Sequence, residues 1–418
     1  MGTAFSNALS GLQANSQAIN VVSGNLANEN TLGYKANQVS FEELVSQSLG
    51  GPSTSNLSGG SVVPISTQSF SQGSITTTGQ PYDAAIQGNG FFVVQSPGGQ
   101  QAFTRAGNFK IDSTGHLLTQ NGDYVEGWNG VNGTVNSNSP LSNIVLPVAG
   151  LRAPTTTTTF SLNLNLNANA GVGTTDATFS SPMQVVDSQG KTHVLTATYN
   201  KTAAGSWGYT VTMPSADVTG ATGTTTTLAT GTLTFDSSGK LSAPAPLAGA
   251  VPVAVTGLAD GAADMNLTWN LYDTNGNAQI TQYDQTSANL ASSQNGTQAG
   301  QLTGISIGTN GQLNAAYSNG DNVAVAQLAV GTILNPDSMQ DLGSNTFGVT
   351  SSTAVPAIGT PGTGSRGTVT GGALEASTVD IATQFTSLLV YERGYQANSK
   401  VVTTEDQVIQ ATLSLITG

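Results

Sequence analysis

Apolar residues fall at alternating steps of three and four toward both ends of this chain. One series runs Leu374, Thr378, Ile381, Phe385, Leu388, Glu392, Tyr395, Ser399, Val402, Asp406, Ile409, Leu413 and Ile416, and nine of its thirteen members are apolar or aromatic. The spacing predicts a helix over 374–416, about 65 Å long at about 1.5 Å per residue, carrying a coiled-coil seam. Near the other end Phe5, Leu9, Leu12, Ile19, Val22 and Leu26 keep the same spacing and predict a second seam.

Between these ends the period changes from helical to two. "THVLTATYN" (192–200), "WGYTVTM" (207–213) and "GTLTFD" (231–236) alternate as half-buried strands do. Turn signals separate such runs. Asn-Gly pairs begin at Asn89, Asn121, Asn129, Asn132, Asn275, Asn295, Asn310 and Asn319, and Asp-x-x-Gly recurs from Asp112, Asp187, Asp236 and Asp273. No glutamate, a helix former depleted in strands, stands between Glu126 and Glu375. The expected fold class is α+β, mainly β, with helices at both ends.

Composition shifts suggest the domain limits. Residues 1–79 read as the first coiled-coil helix and a linker segment, 80–148 and 288–365 as two parts of an inner β domain, 149–287 as an inserted outer β domain, and 366–418 as the last helix. "LRAPTTTTTFSLNLNLNANAG" (151–171) marks entry into the insertion and "WNLYDTNGNAQITQYDQTS" (269–287) the exit. The Gly/Ser-rich stretches 46–61 and 359–372 read as linkers to the helices. Helices so tethered would fray alone, because nine seam side chains cannot offset the ordering of some forty residues. The expectation is therefore that neighbouring copies add further seams and the chain polymerises.

Charge and candidate chemistry narrow the classes. The net charge is -13 with ten basic residues, which argues against nucleic acid and anionic membrane surfaces as partners. The absence of cysteine removes disulfides and thiol chemistry. The first 25 residues lack a basic region and a continuous apolar core, so no Sec-type signal peptide is expected, nor any membrane insertion. A threonine-, asparagine- and glycine-rich middle nevertheless suits an extracellular protein, so export by another route is implied.

His116 and His193 each follow an Asp-x-x-Gly turn without a partner motif and read as exposed strand residues. No zinc-protease, nucleophile-elbow or phosphate-loop motif occurs. The central acids read as turn caps, although paired carboxylates leave a glycosidase conceivable. "DTNGN" (273–277) has its glycine fourth where a calcium loop needs it sixth, and "GNGFFVV" (88–94) reads as a turn feeding a strand that places Phe91 and Phe92. The expectation is no enzyme, no catalytic residue, no cofactor and no metal.

Two motifs then carry a resemblance. "FSNALSGLQANSQAINVVSGNLANENTLGYK" (5–35) resembles the N-terminal signature of the bacterial flagellar rod, hook and hook-associated axial proteins, with Asn25, Asn28, Thr31, Gly33, Tyr34 and Lys35 at its positions. "LEASTVDIATQFTSLLVYERGYQANSKVVTTEDQVIQATLSL" (374–415) resembles their C-terminal helix, with Arg393, Tyr395, Gln396 and Asn398 at its centre. "DAAIQGNGFFVV", "FTRAGNFKIDSTGHLLTQNGDYVEGW" and "ITQYDQTS" look like the hook members of that family, the likeness being weakest over about 150–265.

The resemblance implies a subunit exported unfolded by the flagellar type III apparatus and polymerised outside the cell into a flexible curved tube. That tube would act as a universal joint carrying motor torque from rod to filament, with terminal helices innermost and β domains outside, sliding against their neighbours. Implied partners are further copies, the distal rod protein, the hook cap and the hook–filament junction protein. The alternatives are a distal rod protein or, from another class, a secreted β-rich adhesin or glycosidase.

Within "NLANENTLGYK" (25–35), Leu26 closes the seam, Asn28 and Asn30 cap or fray the last turn, and Gly33 takes a positive φ to reverse the chain. Tyr34 and Lys35 are expected against a neighbouring helix or subunit. Ser40 and Glu43 of "SFEE" match a capping box, which predicts a short helix there.

Overall fold

The computed structural model describes residues 3–44, 61–131, 133–148, 150–246 and 250–417. The expected linker 46–61 lies outside these residues apart from Ser61, and the side chain of Ile416 lies outside the described ones. The chain is mainly β, with a helix near each end: α1, Thr3–Ala27, and α2, Ile381–Thr417. No helix among the described residues is long and apolar enough to cross a membrane.

Helix α2 begins at Ile381, not at Leu374. Leu374 is buried in the strand Ala373–Glu375, which pairs antiparallel with Ile75–Thr77. The helix start is set by Asp380, whose Oδ1 accepts the Thr383 amide at 2.7 Å and whose carbonyl accepts the Gln384 amide at 2.9 Å. The Thr383 amide, together with the Thr383 hydroxyl, holds the Asp380 carboxyl below its ordinary value. Ser40–Glu43 also departs from expectation, lying in the strand Asn37–Leu44 paired with Ser61–Gln68. Tertiary contact overrides the cap signal there, for the Phe41 ring meets Tyr391 of α2 edge-on at 5.8 Å.

The chain forms two compact units. The first comprises Met1–Val148, Gly304–Ala315 and Asn322–Gly418, and the second Ala149–Thr303 and Ala316–Asp321. The second unit therefore runs past 287, because the strand Ala288–Gln294 pairs antiparallel with Thr159–Asn167 inside it. Likewise 359–372 is more than a linker, since Thr368–Gly371 pairs with Ala84–Gln87.

In the first unit, Phe91–Gln95 pairs with Gln101–Thr104 and with Tyr124–Val131, and the latter pairs with Asn322–Leu328. Phe91, Val93, Phe103, Trp128 and Phe347 form its core, closed by Phe70 edge-on to Phe91 at 5.5 Å. Phe92 is buried as well, against Phe109.

The second unit has its own core between two sheets. Thr178–Val186, Thr192–Ala203, Ser206–Pro214, Thr225–Phe235 and Leu241–Ala243 form one, a meander of antiparallel neighbours. In the other, Thr159–Asn167 runs parallel to both Met265–Asn270 and Ile280–Tyr283, and Ala250–Val255 joins at the edge. Alternation in "WGYTVTM" puts Trp207, Tyr209, Val211 and Met213 inside, as period two requires.

All four Asp-x-x-Gly turns close alike. The Gly115, Gly190, Gly239 and Gly276 amides donate to the carbonyls of Asp112, Asp187, Asp236 and Asp273, and each aspartate's Oδ1 accepts two further amides. Asn129-Gly130, by contrast, lies inside the strand Tyr124–Val131 and makes no turn.

Tyr199 is fully buried in the second unit's core, edge-on to Trp269, and its hydroxyl has no hydrogen-bond partner among the described residues. Burial pushes its phenol far above the ordinary value. Above about pH 10 an unfolded tyrosine ionises while the buried one keeps its proton, so the folded state binds more protons and stability falls as pH rises. Tyr199→Phe is expected to stabilise the unit by roughly 1 kcal/mol at neutral pH and more above pH 10. Urea midpoints read from Trp207 and Trp269 would check this, and a destabilised variant would contradict it.

Candidate assembly joint

The residues between α1 and the first strand tie the helices to the first unit. The Asn28 amide group donates to the Gly24 carbonyl at 2.9 Å, and its Oδ1 accepts the Thr31 hydroxyl at 3.1 Å, which closes the last turn of α1. Gly33 reverses the chain at φ +68° and donates its amide to the Glu375 carbonyl. A Cβ at Gly33 would sit 2.8 Å from the Ala106 nitrogen, so close approach and positive φ both require glycine. Asn30 stays exposed.

Asn25 is buried and fully used. Its Nδ2 donates to the Asn37 carbonyl at 2.7 Å and to Gln384 Oε1 of α2 at 3.0 Å. Its Oδ1 accepts the Asn37 amide at 2.9 Å and the Tyr34 hydroxyl at 3.3 Å. Tyr34 in turn accepts the Thr378 amide on its carbonyl, and Thr378 Oγ1 accepts the Ala36 amide. These asparagines bond within their own subunit.

Lys35, expected near a neighbour, is instead completely buried. Its ammonium donates to Glu375 Oε1 at 2.7 Å and to the Ser71 carbonyl at 2.6 Å. Arg105 reaches Glu375 Oε2 at 3.2 Å, and the Gly73 amide also donates to Oε1 at 2.7 Å. Two cations thus share one carboxylate out of contact with water. Burial pushes both the Lys35 ammonium and the Arg105 guanidinium below their ordinary values, opposed by Glu375. Sequence reading named Lys35 but missed Glu375 and Arg105, which lie far from it along the chain.

The helix pair also differs from expectation. Gln384 faces Asn25, the Asn15 side chain lies over Gly394, and the Asn398 side chain lies over Gly11, so α2 runs antiparallel to α1. A Cβ at Gly11 would fall 2.7 Å from Asn398 Nδ2, and one at Gly394 2.6 Å from Asn15 Oδ1. Each helix sets an asparagine on the other's glycine.

The readable signal was a repeat, Gly11-Leu-Gln-Ala-Asn15-Ser and Gly394-Tyr-Gln-Ala-Asn398-Ser. Gly11, Asn15 and Asn25 of α1 meet α2, and Ala8, Ala14, Ala18, Val22 and Asn25 are buried. Of the expected α1 seam only Val22 is fully buried. Leu12, Ile19 and Leu26 are half-buried, whereas Phe5 and Leu9 are exposed.

On α2 the expected seam is split in the same way. Leu388, Val402 and Ile409 are half-buried, whereas Ile381, Phe385, Tyr395 and Leu413 are exposed. Of the second motif, Asn398 sits on α1, while Arg393 is exposed and exposed Gln396 bonds to Glu392. Leu389, Val390, Val401 and Val408 add to the exposed apolar surface. Exposed apolar side chains therefore lie along both helices.

Four family models match: a flagella basal body rod protein model over 5–35, a flagellar hook protein FlgE/F/G D1 domain over 85–165, a flagellar basal body protein FlaE D2 domain over 165–297, and a flagellar basal body rod FlgEFG protein C-terminal model over 370–415. The chain is 32% identical to the flagellar hook protein FlgE of Escherichia coli strain K12, across 99% of this chain and 100% of that one. It is 31% identical to FlgE of Treponema pallidum strain Nichols, across 97% and 98%. Among solved structures, Helicobacter pylori flagellar hook protein FlgE2 matches with a TM-score of 0.50 at 16% identity, over 66% of this chain and 94% of that one, a likeness of fold.

Glu375→Gln would leave Lys35 and Arg105 buried without a counter-charge, at a cost of about 3–5 kcal/mol. The urea transition of the first unit, followed at Trp128, should shift accordingly. A shift below about 1 kcal/mol would remove the carboxylate from its role in the joint.

Proposed function

The chain belongs to the flagellar hook protein family, and from that premise we propose that it is a structural subunit of the bacterial hook. The observation that carries this reading is the match to hook proteins along nearly the whole chain, inserted β domain included. The subunit polymerises into a flexible, curved tube that serves as a universal joint between rod and filament. The work is mechanical, as the family is one of structural flagellar proteins.

The exposed apolar rows support polymerisation. Phe5 and Leu9 of α1 and Phe385, Leu389 and Val390 of α2 are 38–60% exposed, and burying them against copies of the same helices would recover the hydrophobic free energy that the single chain forgoes. In this reading the exposed members of the expected seams work between subunits, while the glycines and asparagines work within one. The distal rod protein, hook cap and hook–filament junction protein are the neighbours at the ends of such a polymer. The type III apparatus delivers the chain unfolded, a route compatible with its lack of cysteine.

Electron microscopy of basal bodies from a deletion strain tests the assignment: hooks should be missing, and intact hooks would refute it. A straight, stiff polymer from the purified chain would assign it to the distal rod instead. Phe385→Asp and Leu388→Asp are each expected to abolish polymerisation while the far-ultraviolet spectrum of the β units persists. Normal tubes from both variants would remove α2 from the subunit contacts.

A further inference from the structure

His193 is not an exposed strand residue. It occupies the inward face of Thr192–Ala203 with Leu195, Ala197 and Tyr199, and is 1% exposed. Three carboxylates surround it within the second unit. Asp187 Oδ2 lies 3.0 Å and Asp260 Oδ2 3.4 Å from Nε2, while Asp217 Oδ2 lies 3.5 Å from Nδ1. The geometry points to a binding site for a divalent transition-metal ion, with Asp187, His193 and Asp260 as ligands and Asp217 behind the imidazole.

The arrangement suits a cation better than a proton. Nε2 carries at most one hydrogen, yet two carboxylate oxygens converge on it. An ion bonded at about 2.1 Å to nitrogen and oxygen, with bond angles of about 90° to 109°, spaces its ligand atoms about 3.0–3.4 Å apart. The two separations at Nε2 fall within that interval, and all three ligand atoms lie within 4.8 Å of one another.

The other carboxylate oxygens are already committed. Asp187 Oδ1 accepts the Gln189 and Lys191 amides, and Asp260 Oδ1 accepts the Ala262 amide at 3.1 Å, which aims each Oδ2 at the histidine. Nδ1 has no other partner among the described residues, and Asp217 is placed to receive its hydrogen as the ion draws in. A carboxylate behind a ligating histidine fixes the tautomer that leaves the Nε2 lone pair for metal. Lys191 Nζ, 3.1 Å from Asp260 Oδ2 and half exposed, is the local cation that an ion would displace into solvent.

The site would clamp three turns at one end of the second unit: the Asp187 turn, the short helical turn at Asp217 and the loop at Asp260. Bound ion should therefore stabilise that unit.

The test uses the full chain, stripped with chelator and titrated with ZnCl2 by calorimetry, with its melting followed at Trp207 and Trp269. One site per chain with micromolar or tighter affinity, and a higher melting temperature with Zn2+, are expected. His193→Gln and Asp260→Asn should each weaken binding at least tenfold and abolish the melting shift. The Asp260 side chain is 17% exposed, so its variant should retain the near-ultraviolet signal of both tryptophans. No saturable binding to the wild-type chain, or undiminished binding by a folded Asp260→Asn, would overturn the site.

Discussion

Everything at the joint depends on one carboxylate. Glu375 holds Lys35 and Arg105 where no water reaches, and it receives the Gly73 amide besides. A buried ion cluster contributes little net stability over an apolar one, because desolvation consumes the Coulombic gain. Its effect is on specificity. Lys35 follows α1 and Glu375 precedes α2, so any pairing of the ends that separated them would leave a charge buried alone. The cluster thus favours the single register in which both helices leave the β unit side by side, and that register brings Asn25 to Gln384.

Given that register, the helix contact is economical in bulk. Gly11 and Gly394 let the backbones approach, and each receives the asparagine of the other helix, so the face within the chain is built from small and polar side chains. Although Val22 is buried, Phe5, Leu9, Phe385, Leu389 and Val390 are left outside. A monomer that buried them would close its own surface and gain nothing by meeting a copy. The large apolar side chains left exposed on α1 and α2 fit the proposed assembly.

The legible parts of the sequence were those with short-range causes. Alternation disclosed the strands, and Asp-x-x-Gly disclosed four turns that close with the same amides. Helical spacing disclosed both helices but not the glycine–asparagine contacts between them, since periodicity ranks apolar residues and those contacts use Gly11, Asn15, Gly394 and Asn398. The start of α2 was missed because Asp380 reads as one acid among many until its amide partners are known. Ser40 and Glu43 gave a true cap pattern that a strand pairing outweighed. His193 was misplaced despite a sufficient signal: it shares the parity of Leu195, Ala197 and Tyr199, and the same period that made the strand put it inside. Glu375 and Arg105 had no local sign, because their partner is reached only through the fold.

Where a hook built from such subunits can bend follows from packing. The core of the second unit lies between its own two sheets, and the core of the first gathers around Phe91, Phe103 and Phe347. Packed interiors resist compression, so neither core can lengthen and shorten as a curved tube turns. The joint is no softer, for shifting Lys35 from Glu375 by an ångström or two strands a buried charge. Strain must then fall on surfaces that exchange one set of contacts for another at low cost. In the proposed polymer, apolar side chains at the surface of α1 and α2 would meet that condition alongside the β surfaces expected to slide, because hydrophobic contact is non-directional and survives small slips that would break a hydrogen bond. Rigidity inside the subunit therefore makes compliance between subunits possible.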